Sequence, residues 1–405
     1  MIRSPRRFVP HLIISFIVLL CAGAAAAGAF VTPLPNGEDE YNSPKFVVTH
    51  AWMKFGYLAA EPFRDDLSRA EEDTRVARFL ELTGLIAEAE RVAGDPATPP
   101  EKASRARRDA DAWLDERGAI ENSVEKILEG RLTELAEDIG LTRDYGVELV
   151  WPPVDIEFEE TPSVLVTSPR SEIRKESERL LQGDLPVERV QEIERRAESD
   201  GQTSALVVRI GGIAMYPALI PPSDSYLSVL RDMAHEWMHH YLYFTPLGRR
   251  YYANDELRTL NETLANLAGE ELGDMLGQLY PLPEKQARAD GGSERAAPDP
   301  AVDFTVEMRT LRRDVEAMLA EGRVEEAERL MEEKRAYLAE HGYYIRRLNQ
   351  AYFAFHGAYA DTPASIDPIG PKLEMLRERS GSVEVFVRAA QALRSEADLD
   401  RALGE

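Results

Sequence analysis

One short segment restricts this chain more than any other: RDMAHEWMHHYLYF, Arg231 to Phe244. In and before it, Leu227, Leu230, Met233, Ala234, Trp237, Met238, Tyr241 and Leu242 recur at helical spacing, which predicts a buried helix. Its expected start is a cap near Ser223 or Asp224. Its expected end is near Phe244, before Pro246. On that helix His235 and His239 stand four residues apart, so both imidazoles leave one face, close enough to share one ion. Glu236 leans toward the same edge. In such an arrangement two neutral imidazoles bind Zn²⁺. The glutamate, not itself a ligand, takes a proton from metal-bound water and passes it to a leaving nitrogen. His240 is one step round the helix and outside the expected ligand set. The plainer alternative is two structural histidines on a buried helix.

A catalytic zinc site takes a third protein ligand and keeps an open position. The only cysteine is Cys21, in the N-terminal apolar run, so the third ligand must be His, Asp or Glu. A second helix is expected after Asn254, a good N-cap. Leu257, Leu260, Leu264, Leu267 and Ala268 form its apolar stripe, and it offers Asp255, Glu256, Glu262 and Glu271.

This pair of helices resembles the gluzincins, the thermolysin-like zinc metallopeptidases. In them an N-E-x-x-[AS]-[DN] segment on the next helix supplies the third ligand. Here it reads Asn261-Glu262-Thr263-Leu264-Ala265-Asn266. The resemblance implies that Glu262 is the third ligand and that Asn266, one turn on, steadies a zinc histidine. Thermolysin has aspartate at that position, so Glu270 is a second candidate for the steadying role. The resemblance also implies an edge strand lining the cleft, and VVRIGGIAMYPAL stands in that place. Aminopeptidases of this superfamily often carry G-x-M-E-N there, whose glutamate holds the substrate's free amine. Gly212-Ile213-Ala214-Met215-Tyr216 has no acid, so the resemblance does not extend to that feature.

A second stretch, from LNQAYFAFHGAYAD onward, resembles the C-terminal part of a bacterial family of predicted gluzincin aminopeptidases. Asn349, Ala351 and Tyr359 fall on its characteristic positions, and Gln350 departs from a second asparagine. Gluzincins need a donor to the tetrahedral oxyanion. Tyr359 is the first candidate and His356 the second. Without the zinc motif, the face Tyr352, Phe355, His356, Tyr359 would read as plain core.

The formal net charge is −24, from 72 acids against 48 bases. That field repels phosphates and excludes nucleic acid as an expected partner. Glu/Arg-rich stretches mix both signs at helical spacing and read as solvated helix faces. At the N-terminus, Arg3, Arg6 and Arg7 precede an apolar run ending in small residues, the pattern of an export signal. Ala27 and Ala29 offer cleavage positions. The run from Leu12 to Val31 is also long enough to remain as a membrane anchor, with the arginines on the cytoplasmic side. The body of the protein is therefore expected outside the cytoplasmic membrane.

The expected organisation is a signal or anchor (1–31), an N-terminal helical region (32–146), a zincin-like catalytic core (147–280), a flexible loop (281–302) and a C-terminal helical region completing the cleft (303–405). Within the core, 147–171 predicts two strands and a turn, 171–199 a helix, and 204–222 a strand or hairpin bent at Gly211 and Gly212. The fold class is α+β, predominantly helical, with a small mixed sheet and two zinc-site helices. The expected function is an exported, one-zinc metallopeptidase acting on peptides or proteins. Aminopeptidase action is implied by the resemblance, and endopeptidase action is left open. The alternative is a catalytically degenerate, membrane-anchored protein of the same fold that binds a partner. A zinc hydrolase acting on a non-peptide amide, such as a cell-wall bond, is a third reading.

Overall fold

The computed structural model describes residues 67–282 and 299–404 except Pro96 and Val147, together with several positions between 37 and 49. The expected export segment, with Cys21, and most of the expected 281–302 loop lie outside the described residues. Among the described residues no helix is long and apolar enough to cross a membrane.

Helices α1 (Arg69–Gly94) and α2 (Pro100–Asp138) form a long hairpin. The Ser68 N–H donates to the Glu71 carboxylate at 2.8 Å and caps α1. Proline at the first position starts α2. A two-residue ladder follows, β1 (Arg143–Asp144) with β2 (Glu148–Leu149). Then comes β3 (Ile156–Phe158), whose outer edge α2 closes: the Ile156 N–H donates to Glu129 at 3.0 Å and the Phe158 N–H to Glu125 at 2.8 Å.

Strands β4 (Ser163–Pro169), β5 (Ser177–Leu181) and β6 (Thr203–Arg209) make an antiparallel sheet in the order β5-β4-β6, with Leu165 opposite Val207. Helix α3 (Val187–Ala197) covers one face through Ile193, against Leu165, Leu181, Ala205 and Val207. Strand β7 (Ala218–Ile220) pairs with β3 in parallel, and Ile213 brackets β7 from its other side.

Region 147–171, expected as two strands and a turn, instead contributes three strands, β2, β3 and β4, to three small sheets. The first half of the expected 171–199 helix is strand β5. Its residues SERLL favour helix locally, but the unpaired edge of β4 offers five backbone partners and that pairing prevails.

Helices α4 (Tyr226–Tyr243) and α5 (Asp255–Leu279) pack against each other in the molecule's interior. Ser225, not Ser223 or Asp224, caps α4, and Asn254 caps α5. The two helices cross very closely at α5's small residues. A methyl on Gly269 would lie 2.8 Å from the His235 backbone, and one on Gly273 2.8 Å from that of Arg231. Leu227, expected in the buried stripe, is 39% exposed.

After α5, α6 (Phe304–Ala320) and α7 (Val324–Glu340) pair around their own core of Met308, Leu311, Val315, Met331 and Leu338. The short α8 (Gln350–His356) covers the second face of the β4–β6 sheet with Ala351, Tyr352 and Phe355. Three further described helices follow in the expected C-terminal helical region: α9 (Ile369–Arg379), α10 (Val383–Ala390) and α11 (Glu396–Leu403). One continuous core joins α1, α2, β3, β7, α4, α5 and α9–α11, with Phe79, Leu128, Trp237, Leu264, Leu373 and Phe386 inside it.

Candidate metal centre

Three donors converge where α4 crosses α5. His235 Nε2 and His239 Nε2 are 3.0 Å apart, and Glu262 Oε2 lies 3.9 and 3.4 Å from them. Donors about 2.0–2.1 Å from one tetrahedral ion stand about 3.3 Å from each other, so this set fits a single small cation. It is a buried His-His-Glu group able to hold a metal ion. The i, i+4 spacing on α4 supplies the histidines. The close crossing at Gly269 brings α5's carboxylate within reach of them.

The surroundings hold these donors in place. His239 Nδ1 meets Asn261 Oδ1 at 2.8 Å, which leaves Nε2 free to face the shared point. The Tyr251 hydroxyl donates to Glu262 Oε1. Asn266 and the Ala265 carbonyl stand against His235. Asn266 Nδ2 in turn donates to both oxygens of Asp361 at 3.2 Å. Glu270 does not orient a histidine. It is exposed, and its charge acts on Asp361 instead. The carboxylate in that role is Asp361, acting through Asn266.

The other acids offered by α5 are engaged elsewhere. Glu271 binds Arg377 at 2.6 Å, Glu256 accepts the Glu396 N–H at 2.5 Å, and Asp255 faces Arg258.

Burial opposes charge throughout the site. It pushes the Glu236 carboxyl up to about 8, with the Glu262 and Asp232 charges adding to the rise and His239 opposing it. Burial, with the His239 charge, holds His235 down to about 3. Burial also works against ionisation of His239 and Glu262, but their mutual attraction prevails. His239 rises to about 9 and Glu262 falls to about 2.

Glu236 is 6% exposed and stands outside the three-donor group. The backbone at Gly212 presses on its carboxyl so closely that any side chain there would overlap it. His240, outside the expected ligand set, fastens the same segment by donating from Nε2 to the Met215 carbonyl at 2.7 Å.

The edge-strand expectation changes in detail. β6 is an edge, but it is already closed. The Ala205 and Val207 N–H groups donate to Glu198 and Glu194 at 3.0 and 2.7 Å, and their carbonyls accept from Asn349 and Arg346, each at 2.9 Å. The backbone beside Glu236 belongs to the following segment around Gly212.

The two oxyanion candidates separate. The Ala360 N–H donates to Thr263 Oγ1 on α5 at 3.1 Å, bringing the segment after α8 over the site. Tyr359's hydroxyl is held well above its ordinary range by the Glu262 charge, by burial and by Glu236, so it lies within electrostatic reach of both carboxylates. His356 packs against Tyr352 and Phe355 at ring distances of 4.3 and 5.1 Å, and burial alone lowers it to about 4.

Tyr251, Asn261 and Asp361 take part in the site without having been expected there. Asn261 lay inside the quoted motif. Tyr251 and Asp361 come from a turn and a loop, where no periodicity marks them. In comparisons with known proteins, the chain matches no family model, no curated protein and no solved structure.

Proposed function

We propose that this protein is a zinc-dependent metallohydrolase that cleaves peptide bonds. One observation carries the reading: two imidazoles and a carboxylate converge on one point, beside a buried glutamate that is not one of the three donors. A protein that merely binds metal has no use for that fourth group. The gluzincin resemblance of His235-Glu236-x-x-His239 with Asn261-Glu262 supports the same reading and favours zinc.

A zinc ion held there supplies Lewis acidity and makes water a nucleophile near neutral pH. His235, His239 and Glu262 would hold the ion, with Asn261, Tyr251 and the Asn266–Asp361 pair fixing their orientation. Glu236 accepts the proton of the attacking water and returns it to the leaving nitrogen. A carboxyl with a raised pKa suits this two-way role. Tyr359 is the proposed donor to the carbonyl oxygen as negative charge develops. Tyr251 is committed to Glu262 and His356 to its aromatic neighbours. The N-terminal pattern of Arg3, Arg6, Arg7 and the run from Leu12 to Val31 supports action outside the cytoplasmic membrane, free or anchored.

The test is to purify the chain, measure bound metal and assay a mixed peptide library. One zinc per chain is expected, with cleavage lost in Glu236→Gln and zinc retained. Lack of stoichiometric metal would sink the zinc reading. Metal without cleavage in the wild type would favour a binding protein. The positions cut distinguish aminopeptidase from endopeptidase action.

A further inference from the structure

We propose that Asp232 is a substrate-specificity residue of this cleft, binding a positively charged nitrogen of the substrate within one helical turn of Glu236. The proposal rests on the peptidase reading above. The nitrogen is either a basic side chain or a free N-terminal amine.

Helix geometry places Asp232 there. It precedes Glu236 by four residues and His239 by seven on α4, so it lies on the stripe that carries the donors and the proton shuttle. Its neighbour Arg231 turns to α5 and pairs with Asp274 at 2.7 Å. Asp232 has no hydrogen bond or ion pair to any described residue. It is nevertheless largely shielded from water, and burial alone pushes its carboxyl up to about 6. A largely buried, unpaired carboxylate lowers stability, so a position that keeps one gains from a partner arriving from outside.

The field at this point favours a cation. Of the charged groups acting on Glu236, only Asp232 stands outside the proposed ligands. The whole chain carries −24, which steers cationic ligands inward. The backbone segment Gly212–Tyr216 against Glu236 contributes no acid of its own. Asp232 therefore supplies from α4 a negative charge that the neighbouring segment lacks.

The experiment uses the full-length, zinc-loaded chain and matched peptides. One series carries lysine or the uncharged isostere norleucine on either side of the cleaved bond. The other has a free or an acetylated N-terminus. Both kcat/KM and peptide affinity by calorimetry are measured, for wild type, Asp232→Asn and Asp232→Glu. In the wild type the charged member of one series is expected to be preferred by about tenfold or more, the scale of a charge-assisted hydrogen bond. Asp232→Asn should abolish that ratio with zinc content unchanged, and Asp232→Glu should keep most of it. The responding series identifies the nitrogen. Equal ratios in wild type and Asp232→Asn overturn the proposal. So do two zinc equivalents falling to one in Asp232→Asn, which would assign the carboxylate to a second ion. If nothing is cleaved, the affinity ratios still decide this inference while the peptidase reading fails separately.

Discussion

His239 dominates the pH behaviour expected of the isolated residues. In the metal-free chain, its raised value of about 9 means that the Glu262 partnership stabilises the fold fully below the ordinary histidine value. That contribution is lost as pH rises through about 9. A metal ion must displace the same proton. Zinc affinity is therefore expected to strengthen by about tenfold per pH unit from neutrality up to about 9, with roughly one proton released per ion. Calorimetry in buffers of different ionisation enthalpy measures both; a pH-independent affinity would contradict the assignment. Glu262→Ala should lose stoichiometric zinc. Asp361→Asn tests the more distant support: loss of its hold on Asn266 should weaken zinc binding by about ten- to a hundredfold without abolishing it. An unchanged affinity would show that Asn266 holds His235 without help.

At the scale of elements, two devices merit direct tests. The first is the close crossing of α4 and α5. Gly269→Val puts a branched side chain against the His235 backbone, forcing the helices apart at the ligand itself. Overpacking of this kind costs about 1–3 kcal/mol, and zinc affinity should fall with it. If melting and affinity both match the wild type, the helices have more room than their backbones show. The second device is a pair of glutamates, four residues apart in or at the end of a helix, closing a strand edge. Glu125 and Glu129 do this for β3, and Glu194 and Glu198 for β6. Glu194 is also bound by Arg346 and Arg347. Glu194→Ala removes the acceptor of a buried N–H and should cost about 2–3 kcal/mol in denaturant unfolding. A change below about 0.5 kcal/mol would mean that water replaces the carboxylate without loss.

At the scale of the whole molecule, one core runs from the α1–α2 hairpin through α4 and α5 to α9–α11. The expected boundary between an N-terminal helical region and a catalytic region at 146/147 falls inside this core. Ligand binding to a shared core stabilises all of it. Zinc at about a hundred times its dissociation constant should add about 2.7 kcal/mol. Hydrogen exchange should then show slower exchange in α1 and α2 as well as in α4 and α5. Protection confined to α4 and α5 would show that the hairpin opens independently.

Local patterns carried much of this in the sequence. The α4 and α5 helices, the Asn254 cap and the convergence of His235 and His239 follow from spacing alone, because a helix converts residue intervals into directions. Glu262 was singled out by resemblance, and the crossing at Gly269 is what brings it to the histidines. Only the tertiary structure turned SERLL into strand, since the pairing edge belongs to another segment. Only it brought Tyr251, Tyr359 and Asp361 around the three donors, because a turn or loop has no period from which its direction can be read. The sequence by itself determined which residues could hold an ion on one face of α4. Packing, through the small residues of α5 and the tether from Thr263 to Ala360, decided which distant residues gather at those donors and which, like Glu270 and His356, sit against other neighbours.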